Sequence, residues 1–446
     1  MPRTRLTATP SLEILLNGAQ TTYNAGDTIS GRVVRTAPLV SSQARVSIQL
    51  NGRTKSKMVV SRGQAGTSIY RGRFSLFNSD ANRQQLSDGP IHIAPDGDKQ
   101  EWAFTITIPS APDPASVIAQ NHQKFSYLPL GQRDIAAHTL PPVFFATGVF
   151  INTTYECFVE YFLEAKLHVE AAGGSGKEDR ATVPLNILLP TTPDLADDFE
   201  LVQRSFLCRI STYRFLQGSE SGSLSLGQRT RELFGSSKVP QLVSSLQVEH
   251  PTVLQVGNPN NIPFRLLILP EPLQTTESIR DTKQTITLTG MTFGIIASTK
   301  LMCAGTLSPH TSSQTRKFGF DLKAAIEKRG EPIVLPVGEK AQPLDVSELL
   351  GINITSAIPL SHRPFGGRYK GQLYPSFDTY NIKHSHKLKW TLTVTAAGES
   401  TEISNEADIT LLPGRGGEWH QSPEEDLPAY EEVPETPTSP LTGGKE

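Results

Sequence analysis

The 446-residue sequence predicts an all-β protein: two antiparallel, immunoglobulin-like β-sandwich domains followed by a disordered tail. Strict alternation is the first sign. Tyr155, Cys157, Val159, Tyr161, Leu163, Ala165, Leu167 and Val169 alternate with Glu156, Phe158, Glu160, Phe162, Glu164, Lys166 and His168, the pattern of a long strand with one buried face. Shorter period-two segments recur in both halves, at 46–50, 104–108, 286–288 and 388–394. The second sign is a shortage of helical periodicity. Only 116–124 and 321–329 have room for two or three turns, and neither is capped at both ends, which argues against a parallel βαβ architecture. The third is the content of 35 Gly and 33 Pro, which suits many short strands joined by turns.

At this length a single hydrophobic core stops growing, so two domains are expected. The long strand ending at Val169 is followed by a polar Gly-rich run and then by Val183-Pro184-Leu185-Asn186-Ile187, so the two read as a hairpin. The first sandwich is assigned to residues 1–190 and the linker and domain junction to 191–240, where polar, Ser- and Gly-rich sequence accumulates. The second sandwich takes 241–412. Beyond it, residues 413–446 turn to Gly, Pro and Glu, which bury too little apolar surface to fold alone.

The three cysteines, Cys157, Cys208 and Cys303, lie far apart, an odd and sparse set that does not make a disulfide framework and suits a reducing compartment. No apolar run stands behind Met1-Pro2-Arg3-Thr4-Arg5 to serve as a secretory signal, and no stretch approaches ~20 apolar residues. The expectation is a cytoplasmic protein.

Signatures of chemistry are missing where they would be looked for. Residues 173–177, Gly-Gly-Ser-Gly-Lys, imitate a phosphate loop, but Ala171 stands where the first Gly belongs and Glu178 where a Ser or Thr would hold the metal, so a hairpin loop is expected. His384 and His386 share one face of a strand, and the neighbouring Lys383, Lys387 and Lys389 lead us to expect that face to be exposed and free of metal. No Cys-x-x-Cys pair, Gly-x-Ser-x-Gly elbow or His-Glu-x-x-His helix occurs. The expectation is a protein with no catalytic residues, no cofactor and no metal.

Charge is distributed unevenly although the net charge is only −2. Between Asp27 and Asp80 there is no acidic residue, while Arg53, Lys55, Lys57, Arg62, Arg71 and Arg73 fall there together with Arg32, Arg35 and Arg45. In strands, Arg53, Lys55 and Lys57 share one face, as do Arg71 and Arg73. Such a face suits acidic or phosphorylated peptide tails, since Arg binds carboxylate and phosphate in a bidentate way. Only Tyr70 and Phe74 offer stacking, so no nucleic acid is expected.

The order of segments resembles the arrestin fold family, in particular the arrestin-domain adaptors called α-arrestins. The residues that carry the resemblance are Leu12-Glu13-Ile14-Leu15-Leu16-Asn17, then Tyr23-Asn24-Ala25-Gly26-Asp27, Glu101-Trp102-Ala103-Phe104 and Leu140-Pro141-Pro142 before the long strand. In the second half they are the segment 246–269 and Phe377-Asp378-Thr379-Tyr380-Asn381 leading into Leu388-Lys389-Trp390. The resemblance, over about residues 11–412, implies an adaptor that holds cytosolic tails of membrane transporters or receptors, with recruitment to the plasma membrane or endosomes and peripheral membrane association. In the tail, Leu427-Pro428-Ala429-Tyr430 is similar to the Pro-Pro-x-Tyr motif read by WW domains of HECT-type ubiquitin ligases, with Leu427 in place of the first Pro. Residues 416–444 carry no Lys or Arg and seven acidic residues, so the motif sits in a strongly negative segment.

Overall fold

The computed structural model describes residues 3–18, 22–77, 82–95, 97–119, 121–170, 176–189, 197–216, 224–234, 238–320, 322–356, 358–359 and 373–414. The first sandwich is built from β1 (Glu13–Leu16), β2 (Thr28–Arg35), β3 (Leu39–Ser61), β4 (Thr67–Ser75), β5 (Arg83–Ile93), β6 (Gln100–Thr107), β7 (Phe144–Phe150), β8 (Thr153–Val169) and β9 (Lys177–Ile187). One sheet has the order β1-β2-β6; the larger one runs Thr22–Tyr23, β9, β8, β3, β4, with β5 added on β3 and β7 on β8. Neighbours are antiparallel except for the two-residue strand Thr22–Tyr23, which lies parallel to β9. The expected hairpin is present as β8 and β9, paired from Val169 and Lys177 to Tyr161 and Leu185. Residues 171–175 of the loop fall outside the described set, and Lys177 opens a strand rather than a helix.

The second sandwich comprises β10 (Leu201–Ser211), β11 (Gln241–Pro251), β12 (Arg265–Pro270), β13 (Ile286–Cys303), β14 (His310–Gly319), β15 (Ile382–Ala396) and β16 (Glu399–Leu412). Its sheets have the orders β10-β11-β12 and β16-β15-β13-β14, each extended by short strands. Strand β10 lies within the stretch read as a linker. It pairs with β11 over its whole length, because Cys208 and Ile210 turn into the second core.

Helices are short. Of the two candidate stretches, the first holds α1 (Pro114–Ile118), capped by the Asp113 side chain, and then only a 3₁₀ turn at Gln123–Phe125. The remaining helices are α2 (Gln132–Ala137), α3 (Leu226–Leu233), α4 (Leu322–Arg329), which fills the second stretch, and α5 (Val346–Leu350). The three cysteines are buried and unbridged. No described helix is long and apolar enough to cross a membrane.

Among the described residues two large apolar cores form, beside a small cluster of Tyr213, Leu224 and Val239, and the large ones are not confined to the two halves of the chain. The first, around Leu50, Phe74, Tyr161 and Leu163, also takes in Leu301, Cys303, Phe377, Tyr380 and Ile382 from the second half. The second is centred on Trp390, Phe264 and Phe293, whose rings meet edge to face.

Candidate functional site: a cationic strand face backed by the domain seam

Alternation decides the two sides of β3. Thr54, Ser56 and Met58 are buried, while Arg53, Lys55 and Lys57 point outward and remain partly exposed. Antiparallel register then sets Lys55 opposite Arg73 and Lys57 opposite Arg71 on β4, both of which are exposed. On the other flank β8 places Glu160 opposite Arg53, Phe158 opposite Lys55 and Glu156 opposite Lys57. The structure therefore gathers five of the six cations singled out from the sequence. Arg62 stands apart in the loop after β3, where its guanidinium donates to the Tyr70 hydroxyl at 3.2 Å.

The five are not equivalent. Arg53 donates Nε–H to Glu160 Oε1 with both side chains largely buried, at 19% and 8% exposure, and its guanidinium lies 4.9 Å from the Phe162 ring centre. The N-terminal segment seals this pair: Thr4 donates its backbone N–H to Glu160 Oε2 at 2.8 Å and accepts from Arg53 Nη2 at 3.1 Å. Arg3 stacks over Phe145 at 4.4 Å, and Thr7 forms a two-way backbone bridge to Thr182 on β9. Lys55, Lys57, Arg71 and Arg73 have no carboxylate in ion-pair contact among the described residues. The Lys55 ammonium sits 5.7 Å from the Phe158 ring centre. Burial first, and then repulsion from Arg53, pushes its pKa down to about 8; Glu160 pulls it back up in part, and smaller opposing effects come from Arg73 and Glu156.

Behind the cations lies the seam between the sandwiches. Asn381, fully buried, accepts from Thr54 Oγ1 at 2.7 Å and donates Nδ2–H to Ser56 Oγ at 3.0 Å, while Ser56 donates to the Met302 carbonyl. Backbone bonds from Met302 N to Asn381 O, Ala304 N to Arg71 O and Tyr127 N to Tyr380 O stitch the same zone. The Tyr70 and His310 rings stack across it at 3.6 Å. Gly72 makes the approach possible, since a Cβ there would stand 2.8 Å from the Met302 carbonyl oxygen.

His384 and His386 are the clearest correction to the sequence reading. They are buried, not exposed, because Ile382 and Leu388 share their face of β15 and drive it inward, leaving Lys387 and Lys389 to solvent. His384 Nδ1 meets Thr299 Oγ1 and His386 Nδ1 meets Ser376 Oγ, both at 2.9 Å, while neither Nε2 has a partner. Burial holds both pKa values down, His386 at about 4 and His384 well below its ordinary value, with His386 and Arg316 adding to the effect on His384. Among the described residues no group of three or more His, Cys, Asp or Glu is placed to hold a metal ion.

Leu427, Pro428 and Tyr430 lie outside the described residues. The residues missed from sequence are Glu160, Thr4, Gly72 and Asn381. For Glu160 a signal existed, because Glu156, Glu160 and Glu164 form an outward acidic row on the long strand. For the others the sequence carries none. No family model matches the chain, and no curated protein matches it either.

Proposed function

We propose that this chain is an arrestin-like adaptor that links membrane-protein cargo to a HECT-type ubiquitin ligase and so promotes ubiquitination, endocytosis and sorting. The observation that carries the reading is the outward face of Lys55, Lys57, Arg71 and Arg73, a like-charge cluster on two neighbouring strands that Glu156 and Glu160 of β8 flank on one side only. Facing like charges cost stability, and an acidic cytosolic tail of a transporter or receptor relieves that cost by docking there. The ligase is recruited through Leu427, Pro428 and Tyr430, whose spacing suits WW-domain pockets. Adaptor work of this kind needs two binding surfaces and no active site. It is performed in the cytoplasm, at the plasma membrane or at endosomes.

The test is titration of a peptide spanning residues 422–436 against a ligase WW domain. Tyr430→Ala removes the aromatic anchor and is expected to cost at least ~2 kcal/mol, roughly thirtyfold in affinity. Leu427→Pro fixes φ before binding and is expected to strengthen it by about 0.5–1 kcal/mol. Equal affinity for the wild-type and Tyr430→Ala peptides would refute ligase recruitment. A second reading, an arrestin-fold trafficking or signalling scaffold without a ligase, is favoured by one feature, Leu427 at the place of the first Pro. It gains if the wild-type peptide fails to bind while Leu427→Pro binds.

A further inference from the structure

Lys55, Lys57, Arg71 and Arg73 occupy the corners of a lattice. Along each strand the two cations are two residues apart, about 6.8 Å at the antiparallel rise of ~3.4 Å per residue. Across the strands they face each other as Lys55 with Arg73 and Lys57 with Arg71, with Cβ atoms about 4.5–5.5 Å apart. Arg53 continues the row on β3 but lies outside the lattice, because Glu160 neutralises it and Ser75 faces it on β4.

Two anions seated one above each facing pair would stand about 6.8 Å apart. That is the spacing of alternate side chains in any extended peptide, whatever its sequence. Charges one or three residues apart in such a peptide point to opposite faces, so only one of the two can reach the lattice.

We propose that this lattice selects extended peptides carrying carboxylate or phosphate groups at alternate positions, each anion bridging one facing pair of cations. The inference rests on the reading of this face as the docking surface for acidic tails and adds the spacing that the tail must have. It also links binding to a proton. Lys55 is faced by Arg53 on its own strand, Arg73 on β4, and Glu160 and Glu156 on β8. An anion placed between Lys55 and Arg73 raises the pKa of Lys55 from its free value of about 8. Affinity is therefore full below that value and falls as pH rises through it, with proton uptake on binding at the alkaline end.

The experiment titrates the full chain at low ionic strength with Gly/Ser/Thr peptides holding two Asp, or two phosphoserines, at i and i+2 or at i and i+3. The i, i+2 peptides are expected to bind at least about tenfold more tightly, which is ~1.4 kcal/mol, and the paired Lys57→Glu, Arg71→Glu variant is expected to erase the difference while keeping its melting transition. Calorimetry of the i, i+2 Asp peptide, whose carboxylates do not titrate in this range, in buffers of different ionisation heat should show proton uptake at pH 8 and almost none at pH 6. Equal affinity for both spacings would overturn the lattice but leave the docking face standing. Failure of every acidic peptide to bind would overturn the docking reading as well. Binding to phosphatidylserine vesicles in preference to both peptides would assign the face to a membrane and overturn the proposal.

Discussion

Replacing Asn381 with alanine removes two hydrogen bonds from the seam at once. Thr54 Oγ1 loses its acceptor and Ser56 Oγ loses the Asn381 amide, although Ser56 keeps its bond to the Met302 carbonyl and its contact with Cys303 Sγ. Thr54 and Asn381 are fully buried, so the Thr54 hydroxyl is left without water or a partner. Two net contributions of about 1 kcal/mol each, plus a penalty of ~1–2 kcal/mol for the stranded hydroxyl, give a loss of about 3–4 kcal/mol. For a domain of this size that is roughly 6–16 °C in melting temperature, at about 2–4 °C per kcal/mol. The assay is urea unfolding of the wild type, Asn381→Ala, Thr54→Val and the double variant, followed by intrinsic fluorescence. The two single losses should not add, because each removes the same bond, and a coupling of about 1–2 kcal/mol is expected. A cost below about 0.5 kcal/mol for Asn381→Ala, or strict additivity with Thr54→Val, would show that the seam does not rest on this network.

Gly72→Ala should act on the same seam from the other side, since the new Cβ would meet Ser56 Oγ at 2.5 Å and the Met302 carbonyl at 2.8 Å. A loss of about 1–3 kcal/mol is expected from such overpacking, and a thermal melt identical to wild type would mean that the strands separate without cost. His384 and His386 predict acid sensitivity. Both bind protons more weakly folded than unfolded, so their stabilising contribution is complete above the unfolded value near 6.5 and drains away as pH falls towards the His386 value of about 4. Urea midpoints measured between pH 7 and 4.5 should fall for the wild type and fall less for the His384→Gln, His386→Gln pair; parallel profiles would refute the assignment.

Strands were legible wherever one face was uniformly apolar, as from Tyr155 to Val169, because water and core impose opposite demands on alternate positions. Strand β10 was not. Arg204 interrupts its inward row and Leu207 stays 45% exposed on the outward one, so an edge strand with a blurred pattern resembled a linker. The two histidines misled for the opposite reason: their polar identity outweighed the apolar Ile382 and Leu388 on the same face, although the apolar residues decide where a strand face goes. The cationic cluster was half legible. Sharing of a face follows from spacing alone, but the withdrawal of Arg53 depends on Glu160, which lies 107 residues away in sequence and beside it only once β3 and β8 pair.

The first core borrows Leu301, Cys303, Phe377, Tyr380 and Ile382 from the far half of the chain. During synthesis, the strands up to Ile187 leave the ribosome about 200 residues before Ile382 is made, a delay of roughly 10–40 s at 5–20 residues per second. Throughout that interval the nascent first sandwich has an open apolar end where Tyr161 and Phe74 await their neighbours. A chain cut short before Ile382 would keep that end open permanently, so premature termination yields a sticky fragment instead of a working half-molecule. Completion of the second sandwich thus acts as a proofreading step on the first.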